Sequence, residues 1–144
     1  MTLGYIRVAD LETYLQALES TGPDFRTILD EHAVLIDDWN TGRTNAFWTR
    51  VFAGNLVLRI QAYSRTISTL KPANAELRRL HDQLQEALQV LEKGISDFGL
   101  GLDPPDSSIL ERSDDEILRF YEIVFAVSDG LSGLAGRQVE FLIF

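Results

Sequence analysis

Between Asn74 and Phe98 the apolar side chains Leu77, Leu80, Leu84, Leu88, Leu91, Ile95 and Phe98 recur in steps of three and four. A helix turns about 100° per residue, so these steps hold all of them on one face. A stripe this regular has to be covered by other helices, which points to a bundle or a coiled coil. Glu76–Arg79 and Arg78–Asp82 are spaced to pair along the outer side of the same helix.

The remaining segments carry the same period. A first helix is expected from Asp10, a good N-cap, through Leu11, Tyr14, Leu15 and Leu18 to about Ser20. "TGPD" then punctuates, with Pro23 suited to a first turn. A second helix takes Phe25, Ile28, Leu29, His32, Leu35, Ile36 and Trp39, and stops at "NTG", where Gly42 can adopt a left-handed cap. A third runs from about Thr44 to Leu70, and Pro72 separates it from the striped fourth. "GLGLDPPDSS" reads as a connector, and "SDDE" at 113–116 as a capping box that opens a fifth helix. Short turns between helices favour an up-and-down topology. The fold expected is therefore all-α, one domain over residues 1–144, with about five helices of which the third and fourth are longest and adjacent. The ends, "GYIRV" and "VEFLIF", also allow short terminal strands.

Several kinds of chemistry are ruled out by what the chain lacks. With no cysteine there is no disulfide framework, thiolate nucleophile or cysteine-held metal, and a reducing, cytoplasmic setting suits such a chain. A formal net charge of −9 opposes phosphate backbones and anionic lipid. Nucleic acid is not an expected partner. Neither a secretory leader nor a membrane span is expected: the start lacks a basic region before an apolar run, and five charged residues interrupt 117–144.

"ILDEHAVLIDDW", residues 28–39, sets four acids around His32. The helical neighbours of His32 are Ile28, Leu29, Leu35 and Ile36, whereas Asp30 and Asp37 share one edge and Glu31 and Asp38 another. One helix cannot gather them on an ion. Neither His32 nor His81 is preceded by a Glu three residues before, as a di-iron helix would require. His32 is expected to be a core-edge histidine bonded to another helix, with no metal and no cofactor in the protein. "DFG" at 97–99 lacks every other feature of a kinase, and Asp97, Asp103 and Asp106 do not form a calcium loop. Gly130, Gly133 and Gly136 mark either a break in the last helix or a close approach by another, the break being favoured.

Charge asymmetry is the most informative feature. No acid occurs between Thr41 and Ala75, where Arg43, Arg50, Arg59, Arg65 and Lys71 lie, while residues 1–40 hold eight acids against Arg7 and Arg26. The basic third helix is expected to pair with the acidic edge of the second. Arg43, Arg50 and Arg65 project outward. Arg59 falls in the apolar sector, with Asn55 and Tyr63 one turn to either side, so it snorkels to water, meets a buried carboxylate, or serves recognition of an anionic ligand or partner. The third and fifth helices carry more apolar surface than one core face needs, Phe120, Ile123, Phe125 and Val127 among it. With no catalytic constellation in view, the expected function is a non-catalytic interaction or scaffold protein that self-associates, most simply as a dimer. The alternative is a bundle that binds an anionic or amphipathic small molecule at Arg59, Asn55 and Tyr63.

Overall fold

The computed structural model describes residues 8–139. They form four helices in an up-and-down bundle: α1 (Val8–Asn40), α2 (Ala46–Ser68), α3 (Ala75–Leu100) and α4 (Ser107–Ala135). No sheet occurs among the described residues. The segments considered for strands, 4–8 and 139–144, lie almost wholly outside them, and Val8 opens α1.

The helices begin where side chains satisfy the free N–H groups of the first turn. The Asn45 side chain accepts from the Trp48 amide, that of Asn74 from Glu76 and Leu77, and that of Asp106 from Ser108 and Ile109. After α1, Gly42 takes a positive φ of 73°; Gly136 closes α4 at 65°.

Three boundaries differ from expectation. The first two expected helices are one, because α1 runs through Pro23. Pro23 removes an N–H from the ladder, yet tertiary packing outweighs that loss. Phe25, just beyond it, is wholly buried, stacked on Tyr63 of α2 at 4.8 Å and edge-on to Phe120 of α4 at 6.0 Å. Nearby hydroxyls also satisfy backbone oxygens: Ser20 donates to the Ala17 carbonyl, and Thr21 to that of Leu18 at 2.7 Å. The capping box expected at Ser113 is not used, since α4 begins at the Asp106 cap and Ser113 is buried inside it. Nor are the expected third and fourth helices the longest. They correspond to α2 and α3, with 23 and 26 residues, against 33 in α1 and 29 in α4.

The stripe of α3 is buried as expected and lies at the centre of one hydrophobic cluster drawn from all four helices. α3 is bonded to α2 by Gln61–Glu92 and to α4 by Ser113, whose hydroxyl donates to the Gly94 carbonyl at 2.6 Å. α1 reaches α3 through Trp39 against Phe98 and through a 2.8 Å hydrogen bond between Tyr14 and His81 Nδ1. The Glu76–Arg79 pair forms; Arg78 donates instead to the carbonyls of Pro72 and Ala73. At the end of the bundle Gly130 stays within α4, with Leu80 so near that an added Cβ would lie 2.7 Å from its Cδ2. The glycines therefore mark a close approach at 130 and a helix end at 136, not a break.

Candidate functional site

α1 and α2 diverge to leave an open groove of about 880 Å³. Its floor is apolar, from Leu35 of α1 to Leu56 of α2, and Val34, Phe52 and Leu58 rise along its walls. The basic-on-acidic pairing expected from the sequence is found at the rim. Arg59 pairs with Glu31, and Arg43 with both Asp37 and Asp38.

The Arg59 pair is not buried. Its side chains are 41% and 51% exposed, because Arg59 points along the groove wall to water rather than into the core. Asn55 lines the same groove. Tyr63 is turned away into the core, where its hydroxyl lies 2.9 Å from that of Thr21 and burial pushes it up to about 12. Arg59 and Asn55 thus share a surface that Tyr63 does not reach.

Opposite its buried stripe, α2 carries a second apolar stripe, which meets the groove wall at Leu58. Its buried stripe is Thr49, Ala53, Leu56, Ile60, Tyr63 and Ile67. On the far side Phe47, Val51 and Leu58 face solvent, Phe47 65% and Leu58 63% exposed, with Gly54 between them and open space above it. Trp48 joins the stripe to the groove, edge-on to Phe47 at 5.1 Å and stacked on Phe52 at 6.2 Å. Val34, 59% exposed, continues the surface onto α1. A full aromatic side chain presents roughly 150–250 Å², so the six together expose on the order of 600 Å². That is the upper end of what lone proteins leave uncovered, about 300–600 Å².

Sequence reasoning singled out Arg59 and Asn55 but missed Val34, Phe47, Val51 and Leu58. The signal was present: 47, 51, 54 and 58 keep helical spacing on the side opposite 49, 53, 56 and 60.

His32 is buried, its imidazole held below the ordinary range by burial. Its Nε2 has no hydrogen-bond partner among the described residues, so the expected bond to another helix is not made at that nitrogen. Asp97, in the last turn of the helix expected over 74–98, lies within α3 and belongs to an ion cluster across the α3–α4 seam. Its carboxylate is 8% exposed and meets Lys93 Nζ and Arg112 Nε, each at 3.1 Å, with Glu116 alongside. Burial alone would raise Asp97, but the hydrogen bonds that Arg112 and Lys93 donate to it hold it at about 2. Glu116 is raised, by burial and by its carboxylate neighbour. The four charges balance. Among the described residues, no three or more histidines, acids or cysteines are grouped to hold a metal ion, and no helix is long and apolar enough to cross a membrane.

No protein-family model, curated protein or solved structure matches the chain.

Proposed function

We infer that this is a non-catalytic helical interaction protein whose docking surface is the α1–α2 face, and that its occupant is a second copy of the chain. The observation that carries this reading is the set of large apolar side chains left exposed on α2 and on the groove wall of α1. Its area approaches the roughly 800 Å² per partner of a standard interface. A second copy supplies the matching apolar surface, and α1 and α2 carry opposite charge, so one two-fold arrangement serves both chains. The ion cluster at the α3–α4 seam is a neutral structural lock rather than an acid/base site. A cytoplasmic setting and a single helical domain are in keeping with the cysteine-free chain and its one core.

Sedimentation velocity tests the reading. The wild type should run as a dimer at high micromolar concentration, and a Phe52→Ser/Leu58→Glu double variant as a monomer with unchanged helix content. A wild type that stays monomeric throughout would overturn it.

A second reading rests on the size of the groove: about 880 Å³ lies within the range of small-molecule sites, and Arg59 and Asn55 on its wall suit an anionic or amphipathic ligand. Native mass spectrometry of the purified protein, showing a retained small molecule that Arg59→Ala releases, would favour it over self-association.

A further inference from the structure

We propose that the two copies pack crossed, with α2 of each chain over α1 of the other rather than against the other α2. The proposal rests on the self-association reading above and adds which surfaces meet.

The stripe on α2 has two ways to be covered by a second copy. In the first, α2 pairs with its own equivalent about a two-fold axis near Gly54, where the open space would admit a close approach. That pairing sets cations against cations. No acid lies between Thr41 and Ala75, and Arg50 and Arg65 are exposed with no ion pair among the described residues. Like charges across an interface oppose association.

In the second, α2 crosses α1 of the other chain. Residues 8–40 hold eight acids against Arg26 alone. Asp30 lines the groove, is exposed, and has no ion pair among the described residues. A crossed copy therefore brings unpaired arginines toward an unpaired carboxylate. The apolar contacts fit as well. Val34 stands on the α1 wall and Leu58 on the α2 wall, both about equally exposed. Crossing sets Leu58 of one chain on Val34 of the other, and the two-fold repeats the contact in reverse.

Overall charge separates the two arrangements. Both copies are acidic, so replacing any exposed acid with lysine reduces their general repulsion. Asp30→Lys and Asp114→Lys change the net charge equally, but Asp30 is on the α1–α2 face and Asp114 is an exposed residue of α4. With crossed packing, Asp30→Lys weakens the dimer about tenfold by sedimentation equilibrium, while Asp114→Lys leaves it as tight or tighter. The absence of cysteine allows a second, independent readout. Mixed Val34→Cys and Leu58→Cys chains, oxidised mildly, give a disulfide between unlike chains, identified by intact mass, and Gly54→Cys alone gives little dimer. Circular dichroism confirms that each variant is folded.

The proposal is overturned if Asp30→Lys dimerises as tightly as Asp114→Lys, or if Gly54→Cys cross-links readily while the mixed pair does not. A wild type that is monomeric in the same runs overturns self-association itself, and the crossed packing with it.

Discussion

Between α3 and α4, side chains of α4 close tightly over glycines of α3 and its cap, whereas the α1–α2 side leaves large apolar side chains in water. A Cβ on Gly94 would lie 2.8 Å from Ile117 Cδ1, and one on Gly101 2.8 Å from Leu110 Cδ2. The seam adds the buried bond from Ser113 to Gly94 and the Asp97 cluster. The α1–α2 side has exposed ion pairs at its rim and Phe47, Trp48, Phe52 and Leu58 open to solvent. The same kind of amphipathic helix thus serves two ends. One hairpin has its packing completed within the chain, and the other presents a second face still to be covered.

The largest effect expected from this contrast is in side-chain truncation. Leu84 is wholly buried, so Leu84→Ala should lose about 2–5 kcal/mol in denaturant melts. Leu58→Ala should leave folding stability within about 0.5 kcal/mol when measured at high dilution. A large folding loss from Leu58→Ala would erase the difference between the two sides.

Glycine replacement should give opposite signs. Gly94→Val crowds Ile117 and should cost about 1–3 kcal/mol. Gly54→Ala meets nothing within 4 Å and should gain up to about 1 kcal/mol from helix propensity alone.

The two sides should also lose stability in different pH windows. His32, on α1, is lowered in the fold, so the unfolded chain binds the proton more readily and stability falls as pH drops below about 6.5. His32→Leu should shrink that limb, leaving the part due to His81, which burial also lowers, and remove the unpartnered nitrogen. At the seam, Glu116 is protonated first as pH falls, because it is raised. Asp97, at about 2, contributes stability above its unfolded value near 4 and loses it as pH falls through 2. Asp97→Asn should flatten the profile only in that lower window. Thermal melts of the two variants across pH 2–8 (roughly, the span of these titrations) check both signs.

Least of all is expected from Arg59→Ala. With both partners about half exposed, the Glu31 pair should contribute well under 1 kcal/mol to folding, and a loss of several would mean that the rim holds α1 to α2.

The helical class and the α3 stripe were legible because burial follows a period that one chain displays alone. The charge asymmetry was legible for the same reason, and it correctly set α2 against the acidic edge of α1. Pro23 was misread because the residues that outweigh it, Tyr63 and Phe120, are 40 and 97 positions away in the chain and act only through packing. The ion cluster of Asp97 was only half legible: Lys93 at i−4 is visible in sequence, but Arg112 and Glu116 come from another helix. The side of α2 that carries Arg59 was legible, but its depth was left open between water and a buried pair, since spacing gives direction and not how far a side chain reaches.

Trp48 offers the most direct test of the claim that the α1–α2 face is covered by another molecule. It is about half exposed in the single chain, and Trp39 is the only other indole. In a Trp39→Phe protein, the emission of Trp48 should shift to shorter wavelength and become harder to quench with acrylamide as concentration rises, and Leu58→Glu should abolish that change. An emission that stays red and equally quenched from nanomolar to high micromolar concentration would contradict self-association through this face.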